Sequence, residues 1–468
     1  MCDCFTAWLG ARMKALRQND LNFLNRYYES GVSNILVVYG HKNIDMTTLL
    51  TSFIEDKSYC FYSARSASTK EQLYLWGKEL GNDGAILDEY PDFNDIFDAI
   101  DKKSDTNSFV LMIRNFENIV RGSDQFMKKM VSFVKNNKKQ ILVLLISNDI
   151  NWVENNMVSE LGDLAGSIAG FKKIKPLSFK EMRAYFPNMS YLDAVMTYSV
   201  LGGQTGLWDF FDEALSFKEN ICKNFLCEGA FLRNEAVRLT EQNLRETSVY
   251  HTLLAEMARG VNKLNDIYHA TGFSRAKISV YIKTLIHHDF AYKAFSFGNA
   301  GRENVMKGVY KIADPLIDFY FKFIYPNESN LMLMPPEQFY DIFISAGMQT
   351  YVSEYFKNVC REYILNIEEQ GQFPFNIEDE GPWLGKEGNI DFVAQSDVGD
   401  TAFGMSFWER MATHADYVKL HSDARKARLE GDVIYLFSTT GFDSWLKNAA
   451  VKSPESLKLI GIDELTNG

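Results

Sequence analysis

The stretch Gly40-His41-Lys42-Asn43-Ile44-Asp45-Met46-Thr47, followed by Thr48, has the length of a phosphate loop of the pattern G-x-x-x-x-G-K-[ST]. In such a loop backbone amides surround phosphate oxygens, a lysine neutralises them and a hydroxyl reaches magnesium. Gly40 and Thr47 keep their places, but Asp45 stands at the second glycine and Met46 at the lysine. Losing the charge-assisted lysine contact costs about 1.5 to 3 kcal/mol. A carboxylate about 5 Å from a phosphate charge adds repulsion of about 3 kcal/mol at an effective dielectric near 20. Together these weaken nucleotide binding by roughly three to four powers of ten. What remains to contact a nucleotide is Gly40, Lys42, Thr47 and Thr48, with Ser147 placed to sense a terminal phosphate. The plain alternative is a strand-turn-helix that no longer binds one.

The acids that should hold magnesium and activate water belong at the end of a second apolar strand. The run Phe109-Val110-Leu111-Met112-Ile113 ends instead in Arg114-Asn115-Phe116-Glu117. Arginine does not ligate a metal and asparagine does not take a proton from water. Glu117 is acidic but lies three residues beyond the strand end.

The elements around these residues follow from hydrophobic period. Apolar residues between Trp8 and Tyr28 recur at helical spacing, and Ile35-Leu36-Val37-Val38-Tyr39 reads as a buried strand leading into the loop. Phe109–Ile113 and Ile141–Ile146 are further buried strands, separated by a helix over 124–136. Strands alternating with helices predict a parallel sheet. From Pro176 to Leu244 the strand runs stop and amphipathic helices follow, broken at Gly202-Gly203. Next come helices at Thr247–Ala258, 263–271 and from Ser274 through Ile286, then an alternating stretch from Asp289 to Lys311, the plan of a winged helix. The last section begins with a long helix through Cys360 and Leu365. Strands follow at Ile390–Ala394, Thr401–Phe407 and Val433–Phe437, with a basic helix at 416–429.

Length and charge bound the whole. A chain of 468 residues exceeds what one core supports. The predicted division is 1–175 (phosphate-loop core), 176–244 (helical lid), 245–329 (winged helix) and 330–468 (a mixed α/β domain). With 46% hydrophobic and 24% charged residues, the composition excludes disordered, collagenous and disulfide-scaffold classes. Six scattered cysteines without a ligand pattern predict no metal site and a reducing, cytoplasmic setting. No apolar run is long enough for a membrane helix. The net charge of −12 argues against a basic nucleic-acid coat but leaves room for one local face. That face would be Arg275, Lys277 and Lys283 on the third helix, with His287 and His288, and Arg302 and Lys307 on the wing.

The chain resembles the archaeal-type AAA-like P-loop ATPases, also found in anaerobic bacteria, which join an ATPase, a winged helix and a restriction-endonuclease-like C-terminal domain. The resemblance rests on Val37-Val38-Tyr39-Gly40 leading to Thr47-Thr48-Leu49-Leu50, on Gly202-Gly203, on Leu253–Gly260, on Tyr310–Pro315, on Ile390–Ala394 and on Tyr435–Ser438 with Gly441-Phe442. It implies ATP and magnesium as cofactors. It also implies glycine-lysine-threonine at 45–47 and aspartate-glutamate at 114 and 115, from which this chain departs. For the C-terminal domain it implies a PD-(D/E)xK centre, in which two carboxylates hold magnesium and a lysine orients water. Asp391 suits the first carboxylate and Glu362 an auxiliary acid. The glutamate and lysine of the next strand are Met405 and Phe407 here.

Asp45, Met46, Arg114, Asn115, Met405 and Phe407 all fall on catalytic positions, which predicts a binding or regulatory module rather than an enzyme. Two alternatives stay open: a residual ATP-dependent switch, or a DNA-binding regulator acting through its winged helix. The partners compatible with these readings are duplex DNA, a protein, or a second copy of the chain.

Overall fold

A computed structural model describes residues 14–103, 108–298, 308–386 and 388–467. They form two compact units: one runs to Pro176 and includes Gln204–Gly206, and the other comprises Leu177–Gly203 and Leu207 onward.

The first unit is built on five parallel strands: β1 (Asn34–Gly40), β2 (Tyr59–Ser63), β3 (Ser108–Arg114), β4 (Gln140–Ser147) and β5 (Gly170–Ile174). Their order is β2-β3-β4-β1-β5. The central strands are apolar throughout because helices cover both faces, and side-chain alternation divides each strand between two cores. Ile35, Val37, Leu111 and Val143 enter one core with Trp76, Phe97 and Phe126. Leu36, Val38, Val110 and Leu144 enter the other with Leu49 and Phe53. The three strands expected from sequence are these central ones. The two edge strands leave no such signal in the sequence, because YCFYS and GFKKI are each half exposed and lack a continuous apolar run.

The second unit starts with helices Phe179–Tyr185, Tyr191–Leu201 and Phe231–Asn243. Helices Thr247–Ala258, Leu264–Thr271 and Arg275–His287 then lead into an antiparallel pair, β6 (Ala291–Ala294) and β7 (Val309–Ile312). A 25-residue helix, Ser345–Glu369, precedes a five-stranded mixed sheet of order β12-β11-β10-β9-β8. Its strands are β8 (Asp379–Leu384), β9 (Asn389–Gln395), β10 (Thr401–Phe407), β11 (Val433–Ser438) and β12 (Leu457–Ile460). β8, β9 and β10 pair antiparallel, whereas β10, β11 and β12 run parallel. Helix His414–Ala427 makes the crossover from β10 to β11 that a parallel pair requires. Arg302, Lys307 and the start of the expected N-terminal helix lie outside the described residues. Among the described residues, no helix is long and apolar enough to cross a membrane.

A half-buried acid in this unit makes stability depend on pH. Asp318, in helix Pro315–Phe319, accepts a hydrogen bond from the Tyr355 hydroxyl at 2.8 Å, yet burial pushes its pKa up to about 6. Below pH 4 the group is protonated in folded and unfolded chains alike. Between pH 4 and 6 only the unfolded chain releases the proton, so stability falls as pH rises. The loss amounts to roughly 3 kcal/mol and is complete above pH 6. Asp318→Asn should flatten this part of a urea-unfolding pH profile.

Candidate functional site

The loop after β1 is closed by its own residues. Asp45 caps helix Met46–Ile54, and its carboxylate accepts hydrogen bonds from the Thr48 amide at 3.0 Å and from the Thr48 hydroxyl. An N-cap carboxylate takes the place an anion would have at a helix N-terminus, where free amides and the helix dipole favour negative charge. Three further loop amides are engaged as well, those of Ile44, Asp45 and Met46. Ile44 N–H donates to the His41 carbonyl at 3.0 Å and Met46 N–H to the Ile44 carbonyl at 2.7 Å. Asp45 N–H donates to the Thr205 hydroxyl at 3.1 Å, and Gly206 N–H donates to the Asn43 carbonyl at 2.8 Å. Gln204–Gly206 therefore clasps the loop. A side chain on Gly206 would sit 2.8 Å from the Asn43 carbonyl oxygen, which accounts for glycine there.

Met46 is only 3% exposed and packs in the core with Leu49, Leu50 and Phe53. Gly40 ends β1, with its carbonyl accepting from the side-chain Nδ2 of Asn148 at 3.1 Å, while Lys42 is half-buried and Thr47 exposed. Arg114, at the end of β3, reaches the Thr47 hydroxyl at 3.4 Å. Asn115 turns the chain with φ of +53°, a conformation that asparagine adopts more readily than most residues, and its N–H donates to the Ile146 carbonyl at 2.7 Å.

Ser147 is fully buried and its hydroxyl accepts from Asp149 N–H at 3.0 Å. It also bonds Glu117, whose carboxyl burial drives to a raised pKa, against the pull of an amide and of this hydroxyl. One Glu117 oxygen, Oε2, has no hydrogen-bond partner. The structure thus gathers Gly40, Thr47, Arg114, Ser147 and Glu117 at the carboxyl ends of β1, β3 and β4, where open parallel sheets bind ligands. The Gln204–Gly206 clasp was missed in the sequence, since nothing local links it to a loop 160 residues away.

In the second unit, Asp391 lies on β9 and accepts from the Ser406 amide at 3.1 Å and the Ser406 hydroxyl at 3.0 Å. Its other oxygen faces the Lys357 ammonium at 3.4 Å. Lys357 also pairs with Glu354 at 2.6 Å, and Lys311 reaches Glu354 at 3.2 Å. Burial opposes charge on Glu354, but the two ammonium groups outweigh it and hold its pKa below the usual range. Glu362 is engaged elsewhere, accepting from Phe179 N–H at 2.7 Å and from the Tyr198 hydroxyl at 2.9 Å. Met405 is half-buried, and Phe407 is in the core. No group of three or more His, Cys, Asp or Glu side chains able to hold a metal occurs among the described residues. The role of Lys357 was not foreseen, because the lysine expected near Asp391 belongs to the next strand and this one comes from a helix.

On helix Arg275–His287, capped by Ser274, Arg275 and Lys283 are exposed and Lys277 partly so. Arg275 stacks over Tyr268 with its guanidinium 4.3 Å from the ring centre and donates to Asn265 at 2.6 Å. Lys277 lies 4.7 Å from the Phe273 ring centre. His287 and His288 end the helix half-buried.

Residues 320–416, from the helical segment before the mixed sheet to β10 and just beyond, match the family DUF234, described as archaeal and bacterial proteins of unknown function. The chain is 24% identical over 429 residues to the uncharacterized protein MJECL04 of Methanocaldococcus jannaschii, an alignment covering 89% of this chain and 92% of that one. Among solved structures, the Walker-type ATPase PABY2304 of Pyrococcus abyssi aligns at 13% identity with a TM-score of 0.49, over 65% of this chain and 95% of its own. The Aeropyrum pernix ORC2 protein aligns at 12% with a TM-score of 0.41, over 68% and 94% respectively.

The chain is an α/β protein with a five-stranded parallel sheet, a loop between β1 and its helix, and an additional mixed-sheet domain toward the C-terminus. Residues 320–416 carry the DUF234 match, which agrees with the expectation of a further C-terminal domain.

Proposed function

We propose that this protein is a binding or regulatory module of the AAA-like ATPase type whose nucleotide and nuclease centres no longer work. One observation carries the reading: the Asp45 carboxylate, bonded to the amide and hydroxyl of Thr48, fills the anion position of the loop. The residues present do not fit a magnesium nucleotide. The lysine position is a methionine held in the core, Arg114 and Asn115 stand where the strand-end acids belong, and the amides of Ile44, Asp45, Met46 and Thr48 have protein partners. At the second centre the Lys357 ammonium stands beside Asp391 where a cation would be needed, and Met405 and Phe407 supply neither ligand nor proton. Titration calorimetry of the full chain with ATP and magnesium should give no saturable heat at millimolar nucleotide. Micromolar binding with turnover would overturn the reading.

A second reading, contact with duplex DNA, is favoured by the exposed Arg275 and Lys283 on the third helix of a winged-helix arrangement. Such a contact is electrostatic, so log affinity should fall with log salt at a slope of about −0.9 per phosphate neutralised. Arg275→Ala with Lys283→Ala should make the slope shallower by about two. Absent binding, or binding independent of salt, counts against it.

A further inference from the structure

A cavity of about 120 Å³ lies within the second unit, between helix Phe179–Tyr185, helix Tyr191–Leu201 and the long helix Ser345–Glu369. Phe179, Val359 and Leu465 form apolar wall, and Arg183, Tyr191 and Asn366 bring polar groups to it. Two of these groups lack the partner their chemistry requires. Tyr191 is 8% exposed and its hydroxyl has no hydrogen-bond partner. The Arg183 guanidinium is half-buried and donates only to backbone carbonyls, that of Met189 at 2.5 Å and that of Phe186 at 3.4 Å. Among the described residues no carboxylate lies within ion-pair distance of it; burial lowers its pKa, against the longer-range pull of Glu213.

A buried donor without an acceptor and a desolvated cation without an anion are costly in isolation. Both are relieved by one ligand that carries negative charge and acceptor oxygens. Glu362 lines the same cavity but its two oxygens are already occupied by the Phe179 amide and the Tyr198 hydroxyl. Its presence disfavours a dianion such as phosphate, and the apolar walls favour a ligand with a hydrocarbon body. A dry cavity of about 150 Å³ accommodates benzene, so the body here is about the size of one ring or a short chain.

We propose that this cavity binds a small organic monocarboxylate, with Arg183 pairing with the carboxylate, the Tyr191 hydroxyl donating to it, and Phe179, Val359 and Leu465 packing on the hydrocarbon. The site is separate from the loop after β1 and does not depend on how that loop is read.

The test titrates the full chain with benzoate, with hexanoate and with inorganic phosphate, by calorimetry and ligand-observed NMR. Saturable one-to-one binding of a carboxylate, with phosphate bound more weakly or not at all, is the expected result. Tyr191→Phe removes one oxygen that has no protein partner, so the fold is retained; it should weaken carboxylate binding about five- to thirtyfold. Arg183→Gln should abolish it, and thermal melts of both variants report whether they fold. Failure of both carboxylates to saturate at about 10 mM, in the range of the weakest specific small ligands, overturns the proposal. Preference for phosphate, or unchanged affinity in Tyr191→Phe, overturns it equally.

Discussion

Asp45→Asn combined with Met46→Lys should create nucleotide binding where the parent chain is expected to give no saturable heat. Asparagine caps a helix as well as aspartate does, so the Thr48 amide keeps its partner and the loop keeps its shape while the negative charge is removed. Relief of that repulsion is worth about 3 kcal/mol and the restored lysine contact about 1.5 to 3 kcal/mol. Affinity for magnesium ATP should therefore rise by roughly three to four powers of ten over the parent, and calorimetry reads this directly. Met46 leaves the core in this variant, at a cost to stability of about 2 kcal/mol, in the range for losing a buried methionine. Its helix-start position allows the lysine stem to stay on apolar surface while the ammonium reaches the loop. Asp45→Asn alone should recover part of the gain. Hydrolysis should not return in either variant, because Arg114 and Asn115 still occupy the strand end. If the double variant remains unable to bind nucleotide while its melt shows a folded chain, the clasped loop amides rather than Asp45 and Met46 are what excludes it.

Gly203→Ala should be the most damaging single-methyl change in the protein. A Cβ at Gly203 would lie 1.9 Å from the carbonyl oxygen of Leu177 and 2.3 Å from its nitrogen. These are backbone atoms of a segment that also donates Leu177 N–H to the Gly203 carbonyl at 2.9 Å, so no side chain can turn aside to make room. The added methyl must break this hydrogen bond and shift the end of helix Tyr191–Leu201. The cost is about 3 kcal/mol or more, at the upper end of what overpacking produces. Gly81 is the control: it lies within helix Thr69–Asn82 with open space around its Cβ, and Gly81→Ala should stabilise by about 0.5 to 1 kcal/mol. Chemical denaturation of the two variants separates a steric cost from the general effect of replacing glycine. A Gly203→Ala chain as stable as the parent would show that this close approach is not maintained in solution.

The residues that decide the chemistry were legible in the sequence, because a phosphate loop is local: Gly40, Asp45, Met46 and Thr47 fall within eight positions. So were β1, β3 and β4, whose apolar runs follow from burial on both faces. The edge strands β2 and β5 were not, since each shows one face to water and takes its identity from the strand beside it. The hairpin and the three helices before it were legible through their period and their caps. For Asp391 the sequence supplied the position but not the partners. Lys357 precedes it by 34 residues and reaches it only because the long helix packs on the mixed sheet.

By itself, then, the sequence determined which residue types stand where phosphate, magnesium and water would be handled, since those requirements are set by side-chain chemistry at short spacing. Only the tertiary structure decided what those residues do instead. Asp45 satisfies the helix it begins, Gln204–Gly206 closes over the loop, Lys357 neutralises Asp391, and Tyr191 and Arg183 are left facing a cavity. Each of these depends on a partner brought close by packing, which short-range pattern does not encode.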